Sequence, residues 1–255
     1  MGHGDARPRS SAGPSSSSSS SSVSPSAYAN EAIQRRAGAT TVAIIGAGFL
    51  GRCIALDLSL LGMHVLVYDT NPQSATTLST FAYELMNPML HLGYVTKSMI
   101  TRACTNVRFV SDLRDCADAS LVIEAIPDDL EAKVQLLQSL EAVVSASTVL
   151  ATSTIQLSVD AIQDRLQHRS RFLGVRFFHP CVLLPPVEIT PGADTAGNTI
   201  ERVVALLMHV QKEPHRGPTR RVLSNREPTR DLIIPADGPP LVAEASESHG
   251  ATTAL

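Results

Sequence analysis

The sequence contains no tryptophan, and aromatic residues fill only 4% of its 255 positions. Few flat side chains are therefore available to stack on nucleobases. Basic charge is not in excess either, since 21 Lys and Arg stand against 24 Asp and Glu for a formal net charge of −3. A polynucleotide would lose few counterions to such a surface, and nucleic-acid partners are not expected. Four cysteines, Cys53, Cys104, Cys116 and Cys181, fall at no Cys-x-x-Cys spacing. Neither a zinc site nor a disulfide framework is indicated, and reduced thiols are expected. There is no apolar run of the roughly 18 to 20 residues needed to cross a bilayer, and no contiguous apolar stretch of a secretory signal. Gly2 is present, but Ala6 stands where a myristoylation signal needs Ser or Thr. A soluble protein of the cytoplasm is expected, without membrane contact. Arg7, Arg9, Arg35 and Arg36 give mitochondrial import as the alternative.

What is present begins with a contrast of textures. Residues 1 to about 38 hold eight consecutive serines, Ser15 to Ser22, and few large apolar side chains. A segment of that composition buries too little surface to offset backbone entropy, and disorder is expected. Beyond about Gln211, prolines at 214, 218, 228, 235, 239 and 240 accompany balanced charge and no apolar periodicity. This stretch, 212–255, is expected to be a second disordered tail. Between the tails, 39–211, short β-branched runs alternate with helical stretches. Thr41–Ile45, His64–Tyr68, Val107–Val110, Leu121–Glu124, Val149–Thr152 and Phe172–Phe178 read as strands. Phe49–Leu61, Pro72–His91, Asp129–Ser145, Ser158–Gln167 and Thr195–Val210 read as helices. That alternation predicts an α/β fold with a doubly wound, mostly parallel sheet of Rossmann type.

The chemistry is concentrated in one turn. Gly46-Ala47-Gly48-Phe49-Leu50-Gly51 follows an apolar strand directly and opens a helix, the context in which a Gly-x-Gly-x-x-Gly pattern binds a dinucleotide. Gly46 permits the tight turn, Gly48 lets a pyrophosphate approach the main chain, and Gly51 lets the helix pack close to the strand. The next strand ends in Asp69, whose carboxylate suits the two ribose hydroxyls of NAD and would repel the 2′-phosphate of NADP. No Arg follows in Thr70-Asn71-Pro72-Gln73 to welcome that phosphate. NAD is therefore the expected cofactor. The alternative is a glycine turn with an aspartate that caps the following element.

Three ordered motifs carry a resemblance. Ile45 to Gly51, Leu121-Val-Ile-Glu-Ala-Ile-Pro-Asp-Asp-Leu-Glu-Ala-Lys133, and Phe172-Leu-Gly-Val-Arg-Phe-Phe-His-Pro180 continuing to Val187-Glu-Ile189 resemble the NAD-binding domain of 3-hydroxyacyl-CoA dehydrogenases, with lambda-crystallin-type dehydrogenases as cousins. The resemblance spans Thr41 to about Val210. It implies an oxidoreductase of fatty-acid metabolism, with Asp128 and Lys133 as cofactor contacts. On the residues alone, Asp128 could equally be an acid favoured by a helix N-terminus, and Lys133 a solvated side chain.

The same resemblance exposes departures. Members carry a histidine in a His-Phe-Phe-Asn-Pro motif as the base that takes the hydroxyl proton, oriented by a glutamate twelve residues on. Here the motif reads Arg176-Phe-Phe-His179-Pro180, and Glu188 holds the glutamate position. Arginine remains protonated in proteins and cannot serve as a general base. Glu188 and a displaced His179 are the candidate catalytic pair. Residues three apart on a strand point to opposite faces, however, so His179 does not reach the position of a residue-176 side chain unless the chain turns at Pro180. The alternatives are an Arg176–Glu188 ion pair and a solvent-facing His179. Ile155 replaces an expected serine, no Lys or Arg occurs between Thr70 and Thr96 to meet CoA, and with a proline-rich stretch after Gln211 the family's helical dimerisation domain is expected to be absent. Acyl-CoA recognition is therefore in doubt. The reading is a 3-hydroxyacyl-CoA dehydrogenase-like domain of weak or absent activity. The alternatives are a non-catalytic NAD-binding scaffold and a dehydrogenase of another small hydroxy acid.

Overall fold

The computed structural model describes residues 1–2 and 40–217. The expectations of disorder for 3–39 and 218–255 lie outside the described residues. Eight strands form one sheet in the order β3-β2-β1-β4-β5-β6-β7-β8: β1 Thr41–Ile45, β2 His64–Tyr68, β3 Val107–Val110, β4 Leu121–Glu124, β5 Val149–Thr152, β6 Phe172–Phe177, β7 Pro186–Pro191 and β8 Glu213–Arg216. All neighbours run parallel except β6 and β7. The helices are α1 Phe49–Leu60, α2 Gln73–Thr76, α3 Leu78–His91, α4 Lys97–Asn106, α5 Leu130–Val143, α6 Val159–Gln163 and α7 Gly197–His209. The expected doubly wound α/β architecture is the one observed.

Alternation within the strands produces two cores. Val42 and Ile44 of β1 face α1, α3, α4 and α7, where Ile54, Met86, Ile100 and Leu207 are sealed from solvent. Ala43 and Ile45 face α5 and α6, against Leu137, Leu140 and Ile162. The chain builds outward from β1 through β2 to β3, then returns to place β4 on the other side of β1. A ligand crevice opens at that switch point, beyond the carboxyl ends of β1 and β4.

Helix α1 is buried along most of its length, and it carries Asp57, only 2% exposed. The Lys212 ammonium lies 2.7 Å from the Asp57 carboxylate and donates to the carbonyls of Cys181 and Leu184 at 2.8 and 3.1 Å. Burial nevertheless pushes the Asp57 carboxyl up to about 7, with Lys212 opposing the shift. The four cysteines are free, three of them buried. Burial pushes the Cys53 and Cys116 thiols up to about 11 and that of Cys181 up to about 12, which keeps them protonated at neutral pH.

Five elements differ from the sequence reading, one of them β7, where no strand was expected. The stretch 72–91 is two helices, because the Thr76 and Thr77 hydroxyls donate to the Gln73 carbonyl and compete with the helical ladder. The helix read at 158–167 is the short α6. Helix α4 was not expected, since its mostly polar sequence buries only Ile100 and Ala103; it starts where the Thr96 hydroxyl accepts the Met99 amide. The sheet also continues past residue 211, where the sequence reading ends the domain. Lys212 is pinned beneath α1, and β8 pairs with β7, with Pro214 tolerated on this outer strand.

Candidate functional site

The glycine turn sits in the crevice as a piece of main-chain architecture. Gly46 has φ +106°, its amide donates to the Tyr68 carbonyl at 2.8 Å, and a Cβ there would lie 2.9 Å from the Ala125 carbonyl oxygen. A Cβ on Gly51 would lie 1.9 Å from the Gly46 oxygen, so the turn and the first turn of α1 touch without room for any side chain. Gly48 is the opposite case. It is exposed, and a Cβ would meet nothing within 4 Å. The glycine there leaves open space, and that space suits a ligand's phosphates. No side chain caps α1, so its first amides are left to an incoming anion.

Asp69 lies where the sequence places it, just past β2. Its Oδ2 accepts the Ala47 amide and its Oδ1 accepts that of Asn71 at 2.7 Å, which locks the carboxylate against the glycine turn. An ionised carboxylate has about four acceptor positions, leaving capacity for two ribose hydroxyls. Leu50 packs into the core, whereas Phe49 is 54% exposed. The edge of the Phe49 ring meets Phe81 at 5.7 Å and His179 at 4.9 Å between centroids.

Under the crevice lies a buried charge cluster that the sequence reading resolves only in part. Lys133 is wholly buried rather than solvated. It donates to Glu124 Oε1 at 2.5 Å and to the Ile126 carbonyl at 2.9 Å, and it stands 3.3 Å from Asp128. Glu124, also fully buried, accepts the Ile126 amide and the Thr152 hydroxyl, each at 2.7 Å. Glu124 was missed as a site residue because it ends an otherwise apolar strand. The signal available was the carboxylate itself, placed at the carboxyl end of a central strand. Asp128 precedes α5, whose cap is Asp129. It binds the next loop, accepting the amides of Ile155 and Gln156 at 3.0 and 2.9 Å. Burial raises the Asp128 carboxyl, but those amides, the Thr154 hydroxyl and Lys133 together hold it below the usual carboxylate range.

The two candidate catalytic residues are not brought together. Glu188 is 3% exposed and pairs in register with Arg176 on one side and His215 on the other. The main chain at Gly217 closes over it, so near that a Cβ there would lie 2.4 Å from Glu188 Cγ. His179 leaves the end of β6 in another direction, toward Phe49 and the glycine turn. Arg176 stacks its guanidinium 4.6 Å from the Phe178 ring centroid. Arg176 and Glu188 lie opposite each other in the register of β6 and β7.

The family model described as 3-hydroxyacyl-CoA dehydrogenase, NAD binding domain, matches residues 41–216. The chain belongs to that family. Its cofactor is NAD, consistent with the open Gly48 cradle and the anchored Asp69. Over 176 residues it is 32% identical to a 3-hydroxyadipyl-CoA dehydrogenase of Escherichia coli (strain K12), covering 69% of this chain and 37% of that protein. The structure resembles that of a 3-hydroxybutyryl-CoA dehydrogenase from Escherichia coli K12, with TM-score 0.65 and 31% identity over 70% of this chain and 38% of the other. It also resembles an (S)-3-hydroxybutyryl-CoA dehydrogenase from Ralstonia eutropha, with TM-score 0.65 and 25% identity over 69% and 62% of the two chains. The chain therefore spans less than two thirds of the length of each of these relatives. Among the described residues no helix is long and apolar enough to cross a membrane.

Proposed function

We propose that this chain is an NAD(H)-binding domain of the hydroxyacyl-CoA dehydrogenase lineage whose oxidation of 3-hydroxyacyl-CoA thioesters is near background. One observation carries the reading: Arg176 stands at the base position while Glu188 is covered by Gly217 and His179 is directed to Phe49. Bound NAD supplies a hydride acceptor. Arg176, which stays protonated, cannot take the hydroxyl proton at the base position, and loss of a positioned base costs about 10²- to 10⁴-fold in rate. The relatives named for 3-hydroxyacyl-CoA substrates support the lineage.

Isothermal titration with NAD and NADP, together with turnover of 3-hydroxybutyryl-CoA, tests this function. NAD is expected to bind at least about tenfold more tightly than NADP, because the 2′-phosphate would meet Asp69. Asp69→Ala should narrow that preference. Equal affinity in the unaltered protein refutes the cofactor assignment, and robust turnover abolished by His179→Ala refutes the catalytic one.

A second reading, a dehydrogenase of another small hydroxy acid, is favoured by the half-exposed Arg176 guanidinium near the carboxyl end of β6.

A further inference from the structure

We propose that a second cavity, at the end of the sheet away from the glycine turn, binds a small carboxylate with a hydrocarbon body. The inference stands apart from the NAD reading and concerns a different surface of the domain.

The cavity measures about 410 Å³ and lies at the amino ends of β1, β4 and β5, a strand length from the crevice. Such a volume falls within the roughly 300–1,000 Å³ of small-molecule sites. Its floor is apolar: Met63, Leu121 and Val149 line it, each at most 1% exposed. Topology accounts for the opening. Helices α5 and α6, which follow β4 and β5, pack into the core on the opposite face of the sheet. On the α1 face, the amino ends of β4 and β5 are therefore left to the gap between the end of α1, marked by Met63, and α7.

Helix α7 supplies the wall. Arg202, Ala205, Leu206 and His209 all line the cavity, and their spacing of three, four and seven residues puts them on one face of the helix. Ala205 stands in the middle of that stripe, and its small side chain leaves the space that a larger one would fill. The Arg202 guanidinium donates to the Ser147 carbonyl at 2.6 Å, which uses one of its five N–H groups and fixes it beside β5. Among the described residues Arg202 makes no ion pair, and neighbouring residues such as Glu201 do not share its helix face. The His209 ring has no hydrogen-bond partner among the described residues. No carboxylate lines the cavity, whose other polar side chains are those of Thr40 and Ser120.

A cation over an apolar floor, with no acid in the lining, selects an amphipathic anion. The planar guanidinium matches a carboxylate through parallel hydrogen bonds, while the hydrocarbon body removes the Leu206 and Leu121 surfaces from water. A single fixed positive charge suits a monoanion better than a phosphate dianion. His209 lies two turns along α7 from Arg202, about 10 Å, so the ligand extends along the helix from its charged head.

The test uses the full chain and octanoate as the probe, titrated by calorimetry with and without NADH. Octanol, acetate and octyl phosphate serve as comparisons. Octanoate should bind with the same affinity in both cases, and octanol and acetate at least about tenfold more weakly, since one lacks the charge and the other the chain. Arg202→Gln should weaken octanoate at least about tenfold, the loss expected for a charged hydrogen bond, and Ala205→Phe should abolish its binding by filling the cavity. Circular dichroism checks that both variants fold. In the unaltered chain, an octanoate analogue carrying a diazirine should label α7 or Met63, read by mass spectrometry. Octanol binding as tightly as octanoate, tighter binding of octyl phosphate, unchanged octanoate affinity in the folded Arg202→Gln protein, or labelling confined to other segments would each overturn the proposal. Absence of NADH binding would overturn the cofactor reading alone.

Discussion

The adenosine half of the crevice and its substrate half are made of different material. In the first, the contacts that shape the site are main-chain ones: the Gly46 amide on the Tyr68 carbonyl, the bare Cα of Gly51 against the Gly46 oxygen, and the Ala47 amide on Asp69. In the second, side chains from separate strands and loops must converge, and His179 instead packs on Phe49 while Arg176 and Glu188 face each other across β6 and β7. A site built from backbone needs only small residues at the right spacing. One built from convergent side chains is undone by a single exchange at one strand end.

The largest expected effect comes from breaking the floor beneath the substrate half. Lys133→Met leaves the fully buried Glu124 carboxylate without its cation, a situation that costs about 3–5 kcal/mol. Urea unfolding should show that loss, and adding Glu124→Gln should recover most of it. If the single variant were as stable as the parent, the cluster would not be holding the crevice together.

The adenosine half is broken more locally. Gly51→Ala drives a methyl into the Gly46 carbonyl, 1.9 Å away, so the turn must move off the helix. NAD affinity should fall by at least about a hundredfold, the 2.7 kcal/mol or so typical of overpacking a tight contact. Calorimetry that finds unchanged affinity would show that the turn is not the phosphate site.

The smallest effect, and the one that sharpens the comparison, is a gain. Combining Arg176→His with His179→Asn restores the motif of the family's base. Turnover of 3-hydroxybutyryl-CoA should rise by at least about tenfold if the missing base is the main deficit. No rise would place the deficit in the covered Glu188 or in the part of its relatives' length that this chain does not span.

Legibility followed the same divide. Strands β1, β2, β4, β5 and β6 could be read because sheet strands packed on both faces appear as apolar runs, and the edge strand β3 because Val107, Phe109 and Val110 keep a short apolar run. Strand β7 could not, since Pro186 and Pro191 bound it and Glu188 interrupts it, nor could β8, whose four residues are Glu-Pro-His-Arg. β7 is a strand because β6 offers it a partner, and β8 because β7 does, which are tertiary facts. The glycine turn and Asp69 were legible because their spacing within one βαβ unit is local. The burial of Lys133 was not, because its partner Glu124 reads as the tail of an apolar strand. The divergence of Arg176 and His179 was half legible: period-two alternation separates them, but only the fold shows Phe49 receiving the histidine ring.

The Asp57–Lys212 contact has a consequence for the order in which the protein is made. Helix α1 follows the first strand, so Asp57 leaves the ribosome early, and its neutralising lysine arrives only after β7 and α7 have been synthesised. Until then the helix cannot settle onto the sheet with an ionised carboxylate at its centre. The first helix docks before that with its carboxyl protonated, and ionisation in place waits on the lysine just before the last strand, a latch that sets the charge state of the core from its end rather than from its beginning.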